Sequence, residues 1–399
     1  MPAPDKFSYE ELFAAGSPST PPGTARHAKY DFAVAYPDPD LVPLDGLVEA
    51  AKRAMANDGR DLAYYPDAAG YPELRRLIAE DLANERNIQV GANQMVLTAG
   101  SGEAIAMVTQ ALIEPGDTIL AEEFVYLGSL RSFRRYNANV VGIKCDEDGL
   151  VPEDLDSTIQ RLKAEGHRIK FLYTIPTFQN PLGSTLPLER RKKILEITGQ
   201  HGIPVFEDDA YFDLRFEGEP VESFYTLDDT ARVIYCSSYS KITAPGMRIG
   251  YLVGPPEVIN HAWGFKMGGG VNQFAASTIA EYVKNGNMSE HIRQQNDSLR
   301  AKRDAMLASL GENFGDSATW TRPEGGLYVW LTLPEGTDVA ALEEQAFQEG
   351  VGYYNGTMFS PEGRGNNSLR LCFGHPSVEM VTEGIAELAR IFERHGLLK

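Results

Sequence analysis

From residue 44 onward, two kinds of hydrophobic spacing take turns along the chain. PLDGLVEAAKRAMAND (43–58) and YPELRRLIAEDLANERN (71–87) place apolar residues at three- and four-residue intervals, which predicts helices with one buried face. Pro72 suits the first turn of the second helix. Short, nearly continuous apolar runs follow: MVLTAG, DTILAEE, NVVGIKC, IKFLYTI, IPVFED and ARVIYCS. Each reads as a buried strand. Between them lie helical segments such as EAIAMVTQALI, PEDLDSTIQRLKAE and LERRKKILEITGQ. Strand–helix alternation of this kind predicts an α/β fold with a mostly parallel central sheet, covered on both faces.

After about residue 287 the pattern changes. A long helix, SEHIRQQNDSLRAKRDAMLASL, leads to the strand GGLYVWLTL, a helix over 337–348, short strands and a final helix over 377–395. This predicts a smaller α+β domain. Residues 1–43 are rich in Pro, Gly, Ser and Ala, and SPSTPPG cannot hold a helix. The expected organisation is an irregular arm over 1–43 that joins the small domain, a large domain over 44–287 and a small domain over 288–399.

Composition narrows the function. The formal charge of −19 argues against sequence-independent binding to nucleic acid or to anionic membrane. Three widely spaced cysteines (Cys145, Cys236 and Cys372) give no disulfide framework and fit a reducing cytosol. MPAPDKFSYEELFAAG has no apolar signal core, and no apolar run is long enough to span a bilayer, so a soluble cytoplasmic protein is expected. The seven histidines show no metal-ligand spacing.

In open α/β sheets ligands bind at the carboxyl ends of the strands, so the residues that follow each strand are the candidates. MVLTA is followed by Gly100-Ser101-Gly102-Glu103 opening a helix, an anion site by its free backbone N–H groups. DTILAEE is followed by Tyr126, IKFLYTI by FQNPLG with Asn180, and IPVFE by Asp208, Asp209 and Tyr211. ARVIYC leads into SSYSKITAPGMRIGY, with Ser238, Lys241 and Arg248. A lysine at the mouth of a buried strand can be desolvated into a usable amine nucleophile. One ligand accounts for the set: a phosphate, an aromatic face for Tyr126, a basic ring nitrogen for Asp208, a ring oxygen for Asn180 and Tyr211, and an aldehyde for Lys241. Pyridoxal 5′-phosphate fits that description.

Plainer readings exist for each residue alone. Lys241 could snorkel to water, Asp208 and Asp209 could be solvated strand-end acids, Tyr126 could be core, and Asn180 could start a turn. GSGEAI with Glu122 about 20 residues on could be part of a dinucleotide fingerprint. Ile105 replaces its third glycine, and that reading leaves Lys241 and Arg248 without a role.

SYSKITAPGMRIGY, YTIPTFQNPLG and EDDAYFDLRFEG together resemble blocks of the class I/II, fold-type I pyridoxal-phosphate aminotransferases, and the resemblance covers nearly the whole chain after residue 30. The branch with 2-aminoadipate and aromatic amino-acid aminotransferases is the most similar. The resemblance implies that Lys241 joins the cofactor aldehyde as a Schiff base and that Asp208 pairs with the pyridine nitrogen. It implies that Asn180 and Tyr211 bind the ring oxygen and that Tyr126 stacks on the ring. Ser101, Gly102, Glu103, Ser238 and Arg248 would hold the phosphate. Tyr65, in YYPDAAGYPELR, matches a tyrosine that reaches a neighbouring subunit's phosphate, which implies a homodimer with shared sites. Arg370, in NNSLRLCFG, matches the arginine that pairs with the substrate α-carboxylate, a task suited to its forked geometry.

Four departures stand out. Val34 and Ala35 replace a Gly-Gly pair whose backbone approaches the substrate, Phe124 and Val125 replace Pro-Thr, Leu182 replaces threonine, and Cys372 replaces asparagine. The expected activity is ping-pong transfer of an amino group between an L-amino acid and a 2-oxo acid. The same cofactor on this fold could instead serve β- or γ-elimination or replacement, racemisation or oxidation. A non-catalytic regulator of similar fold ranks lower, since only a short arm precedes the match and the charge is strongly negative. Arg26 could meet an acidic side chain, and the arm could close over the substrate.

Overall fold

The computed structural model describes residues 7–13 and 27–398. Seven strands form the central sheet: β1 (Met95–Thr98), β2 (Thr118–Glu122), β3 (Asn139–Ile143), β4 (Ile169–Thr174), β5 (Val205–Asp208), β6 (Val233–Ser238) and β7 (Gly250–Val253). Their order is β1-β7-β6-β5-β4-β2-β3. Neighbours run parallel except at β7, which is antiparallel to both β1 and β6.

Alternate residues of the central strands feed two separate cores. Ile119, Phe171, Tyr173, Phe206 and Ile234 pack with Ala104, Ile105 and Val108 of the helix Ser101–Leu112 and with Leu130 and Phe133 of Leu127–Arg135. Leu120, Leu172, Val205 and Val233 pack with Leu155 and Ile159 of Pro152–Ala164 and with Ile194 and Leu195 of Leu188–His201. This two-faced burial is why the strands read as continuous apolar runs. Each fully buried side chain contributes about 1.5–3 kcal/mol of transfer free energy.

A second, antiparallel sheet holds β8 (Thr319–Trp320), β9 (Tyr328–Thr332), β10 (Tyr354–Asn355) and β11 (Ser368–Cys372) in the order β8-β9-β11-β10. Its register sets Arg370 between Trp330 and Tyr354. The long helix Asn287–Phe314 and the last helix, Val378–Arg394, pack together nearby. Tyr30–Asp31 pairs in parallel with Val351–Gly352, and Cys372 N donates to Phe32 O at 2.9 Å.

Three elements differ from the sequence reading. β7 is a strand where the pattern gave only a turn and an arginine. The helix expected over 337–348 is confined to Glu343–Gln348, because the segment before it turns, with Asp338 accepting from Ala340 N and Ala341 N. Helices Leu127–Arg135, Pro256–Trp263 and Gln273–Lys284 also occur where none was named.

β7 presses its first residue against the start of helix Ser101–Leu112. A Cβ on Gly250 would stand 2.7 Å from Gly100 C and 2.9 Å from Ser101 N. Gly250→Ala is therefore expected to cost about 1–3 kcal/mol in urea unfolding, the usual range for overpacking, and to weaken anion binding at that helix start.

Candidate active site

The carboxyl ends of β1, β4, β5 and β6 bring the candidate residues to one edge of the sheet. Asp208 ends β5 and is 3 % exposed. Tyr173 on β4 donates its hydroxyl to Asp208 Oδ2 at 2.7 Å. Oδ1 is buried and has no hydrogen-bond partner among the described residues. Burial pushes this carboxyl up to about 6, the Tyr173 hydrogen bond opposes that, and the charge of Asp209 adds to it.

The adjacent acid has other partners. Asp209 Oδ2 accepts from Arg86 Nη1 at 3.3 Å and from the Tyr235 hydroxyl at 3.0 Å, while Arg86 Nη2 reaches Asp213 at 2.7 Å. The Arg86 guanidinium also lies 4.3 Å from the centre of the Phe212 ring. Asp209 thus belongs to a buried ion-pair network, and neither acid of the pair is solvated.

Lys241 follows β6 and is half-buried, its Nζ donating to Ala35 O at 2.7 Å. Gln295 Nε2 holds the lysine's own carbonyl at 2.7 Å. Burial lowers the ammonium to about 8; the neighbouring Cys372 works against this, and the charges of Arg370 and Arg248 work with it.

Asn180 links the two sheets. Its Nδ2 donates to the Tyr211 hydroxyl at 3.1 Å and to the Tyr328 hydroxyl at 3.2 Å, and its Oδ1 accepts from Arg370 Nη1 at 3.1 Å. Arg370 is 3 % exposed, bonds Ala33 O through Nη2, and lies within 4.7, 5.1 and 5.2 Å of the Tyr328, Phe359 and Tyr354 ring centres. The backbone at 33–35 therefore enters the site even though Val34 and Ala35 stand in place of glycines.

Gly100, at φ +80°, precedes the helix Ser101–Leu112, and Arg248 lies over it, donating to Ala99 O at 2.7 Å. A cation at a helix start suits an anion. The space beside Gly102 is open, and Ser238 is buried near the same edge, its Oγ accepting from Ser240 N. Glu103 turns its carboxylate back to Ala99 N and to Lys266 Nζ, 3.0 Å away, so only its backbone could face a phosphate. Tyr126 caps the helix Leu127–Arg135, and burial, with the Asp208 charge, raises its hydroxyl. Tyr65 is not brought to this cluster: it is 91 % exposed, its ring beside Gly269. Arg26 lies outside the described residues.

Phe124 and Leu182, two of the departures, meet in one apolar cluster with Trp330 and Phe359, beside Arg370. Tyr173 and Tyr328 were not among the sequence candidates, because a tyrosine inside an apolar strand reads as core. The donor set suits pyridoxal 5′-phosphate: a buried carboxylate oxygen in want of a donor, a lysine of lowered basicity, and a cationic helix start.

The model of aminotransferase classes I and II matches residues 34–388. The chain belongs to this family. An aromatic-amino-acid aminotransferase of Thermococcus litoralis is 36 % identical over 90 % of this chain and 86 % of its own. The multiple substrate aminotransferase of Thermococcus profundus superposes with a TM-score of 0.88 at 32 % identity, covering 92 % of each chain. The alpha-aminoadipate aminotransferase of Thermus thermophilus, solved with N-(5′-phosphopyridoxyl)-L-leucine, gives 0.84 at 31 %, again over 92 % of each.

In this aminotransferase the Arg86 network lies directly behind the acid pair. Arg86→Ala would leave Asp209 buried without its counter-charge. The expected loss is about 3–5 kcal/mol, the range for breaking a buried pair on one side, read as a lower urea midpoint.

Proposed function

We propose that this strand-end cluster transfers an amino group between an L-amino acid and a 2-oxo acid, with Lys241, Asp208 and Tyr126 at the reacting centre. Pyridoxal 5′-phosphate is the cofactor. The observation that carries the reading is the buried Asp208 oxygen without a donor, on the same sheet edge as Lys241. The phosphopyridoxyl adduct of the similar Thermus protein supports it.

When bound, the cofactor supplies the aldehyde that carries the amino group and a ring that accepts the electrons left on Cα. Asp208 Oδ1 holds a proton on the ring nitrogen. Asn180 and Tyr211 take the ring oxygen, and Tyr126 lies against the ring face. Ser101, Gly102, Ser238, Arg248 and the backbone of Glu103 take the phosphate. Arg370 receives the substrate α-carboxylate, oriented by Asn180 Oδ1, beside the backbone of Ala35. Lys241 Nζ, once displaced by the substrate amine, takes the proton from Cα and returns it. The first 2-oxo acid leaves before the second enters, which gives ping-pong kinetics.

A homodimer with Tyr65 reaching the partner's phosphate belongs to the same proposal. Leu62, Tyr64, Tyr65, Phe265 and Met267 are exposed large apolar side chains, which suit burial against a second copy. A large unit over 44–287, a small one over 288–399 and an arm over 1–43 complete the proposal, with the cytoplasm as its compartment. Among the described residues no helix is long and apolar enough to cross a membrane.

Incubation with a panel of amino donors and 2-oxoglutarate is expected to yield glutamate, whereas elimination, racemisation or oxidation would not. Lys241→Ala is expected to abolish both that turnover and the visible absorbance of the cofactor-bound protein. Full turnover in the variant would sink the assignment. The pH dependence follows from the lysine. With Nζ lowered to about 8, its neutral fraction rises through that pH rather than near 10.5. Stopped-flow uptake of pyridoxal phosphate by cofactor-free protein should accelerate with pH and level off above about 8.

A further inference from the structure

We propose that Tyr173 and Cys236 are positioning residues that clamp Asp208 from its two flanking strands, occupying Oδ2 and leaving Oδ1 for the cofactor ring nitrogen. The inference rests on the reading of the cluster as a pyridoxal phosphate site. Its ground is the strand geometry. β4 and β6 lie on either side of β5, and Cys236 is the register partner of Asp208. Tyr173 is the register partner of Phe206, two residues before Asp208, and so points to the same face. Its ring is fixed edge-on by Phe133 at 5.3 Å and Phe206 at 5.7 Å, and its hydroxyl reaches Oδ2 at 2.7 Å. The Cys236 thiol is a second, weaker donor to the same carboxylate. Both side chains are fully buried, and burial holds both protonated, so neither loses its donor at working pH.

A carboxylate with two free oxygens could rotate and present either one. With Oδ2 taken, the carboxylate plane is set and one oxygen is presented. The same donors favour the ionised form against burial, which alone would neutralise it. An ionised Asp208 is needed to keep the ring nitrogen protonated. Other titrating groups face this carboxylate. Asp209 follows it in the chain, Glu122 approaches from β2, and Tyr126 and Tyr211 approach from the cofactor side. Glu122 is the competing acid in the relevant window, since burial pushes it up to about 7.

The test is the dissociation constant of pyridoxal phosphate as a function of pH, measured by equilibrium titration of cofactor-free wild type, Tyr173→Phe and Cys236→Ala. All three proteins also carry Glu122→Gln in a parallel series. Ionisations of the cofactor itself are common to every arm. Removing a donor raises the Asp208 pKa, so the acid limb of the affinity profile should move to higher pH. The expected shift is about one unit for Tyr173→Phe, on the scale of a lost hydrogen bond to a charge. Cys236→Ala should move it less, in the same direction, with both shifts retained beside Glu122→Gln. A uniform loss of affinity with the limb unmoved would make Tyr173 a packing residue only and overturn the inference. If Tyr173→Phe does not fold, an unmoved limb in Cys236→Ala overturns it. Wild-type protein that takes up no pyridoxal phosphate at any pH removes the site reading and this inference together. Wild-type uptake with an unmoved limb removes this inference alone.

Discussion

A carboxylate held in the protein interior with one oxygen lacking a donor is unfavourable, and much of this structure is arranged around Asp208 in that condition. The parallel strands on either side supply the support for the other oxygen. The next residue, Asp209, would add repulsion were it not paired with Arg86 behind it. Desolvation here produces a group that wants a proton donor, and the partner it lacks among the described residues is one that a ligand can bring. The same effect acts with opposite sign on Lys241, where burial weakens the cation and leaves a more reactive amine.

Two sheets must meet for the substrate end of the site to form. Asn180, after β4, touches Tyr211 of the large sheet's edge, Tyr328 of β9 and Arg370 of β11. One amide therefore reads the position of the antiparallel sheet relative to the parallel one. Arg370 is wedged among aromatic rings, which hold its fork in place while leaving Nε without a partner among the described residues. Preorganising an arginine in this way favours a planar anion such as a carboxylate.

Most of the central sheet could be read from hydrophobic runs because two-faced burial leaves a simple signature, and the site residues followed from asking what comes after each strand. β7 was not legible. It is four residues long, begins with a glycine needed for close approach to Gly100, and directly follows a block rich in turn residues. The supporting residues were hidden for a different reason. Tyr173 and Tyr328 differ from core tyrosines only in what their hydroxyls meet, and no periodicity records that. Glu103 shows the reverse limit: its place at a helix start was legible, but the turning of its carboxylate toward Lys266 depended on a residue far along the chain. The departures Phe124 and Leu182 looked unrelated in sequence, yet they pack in one cluster, as compensating changes in a dense interior would.

The segment from Ala33 to Ala35 is tied by its carbonyls to two cations, Arg370 and Lys241. Both cations are also the groups through which a substrate and a cofactor would be gripped. Each arriving molecule therefore competes with main-chain oxygen for the same charge. The tether is strongest when the pocket is vacant and loosens as it fills, so the chain's own backbone reports occupancy to whatever lies upstream of it.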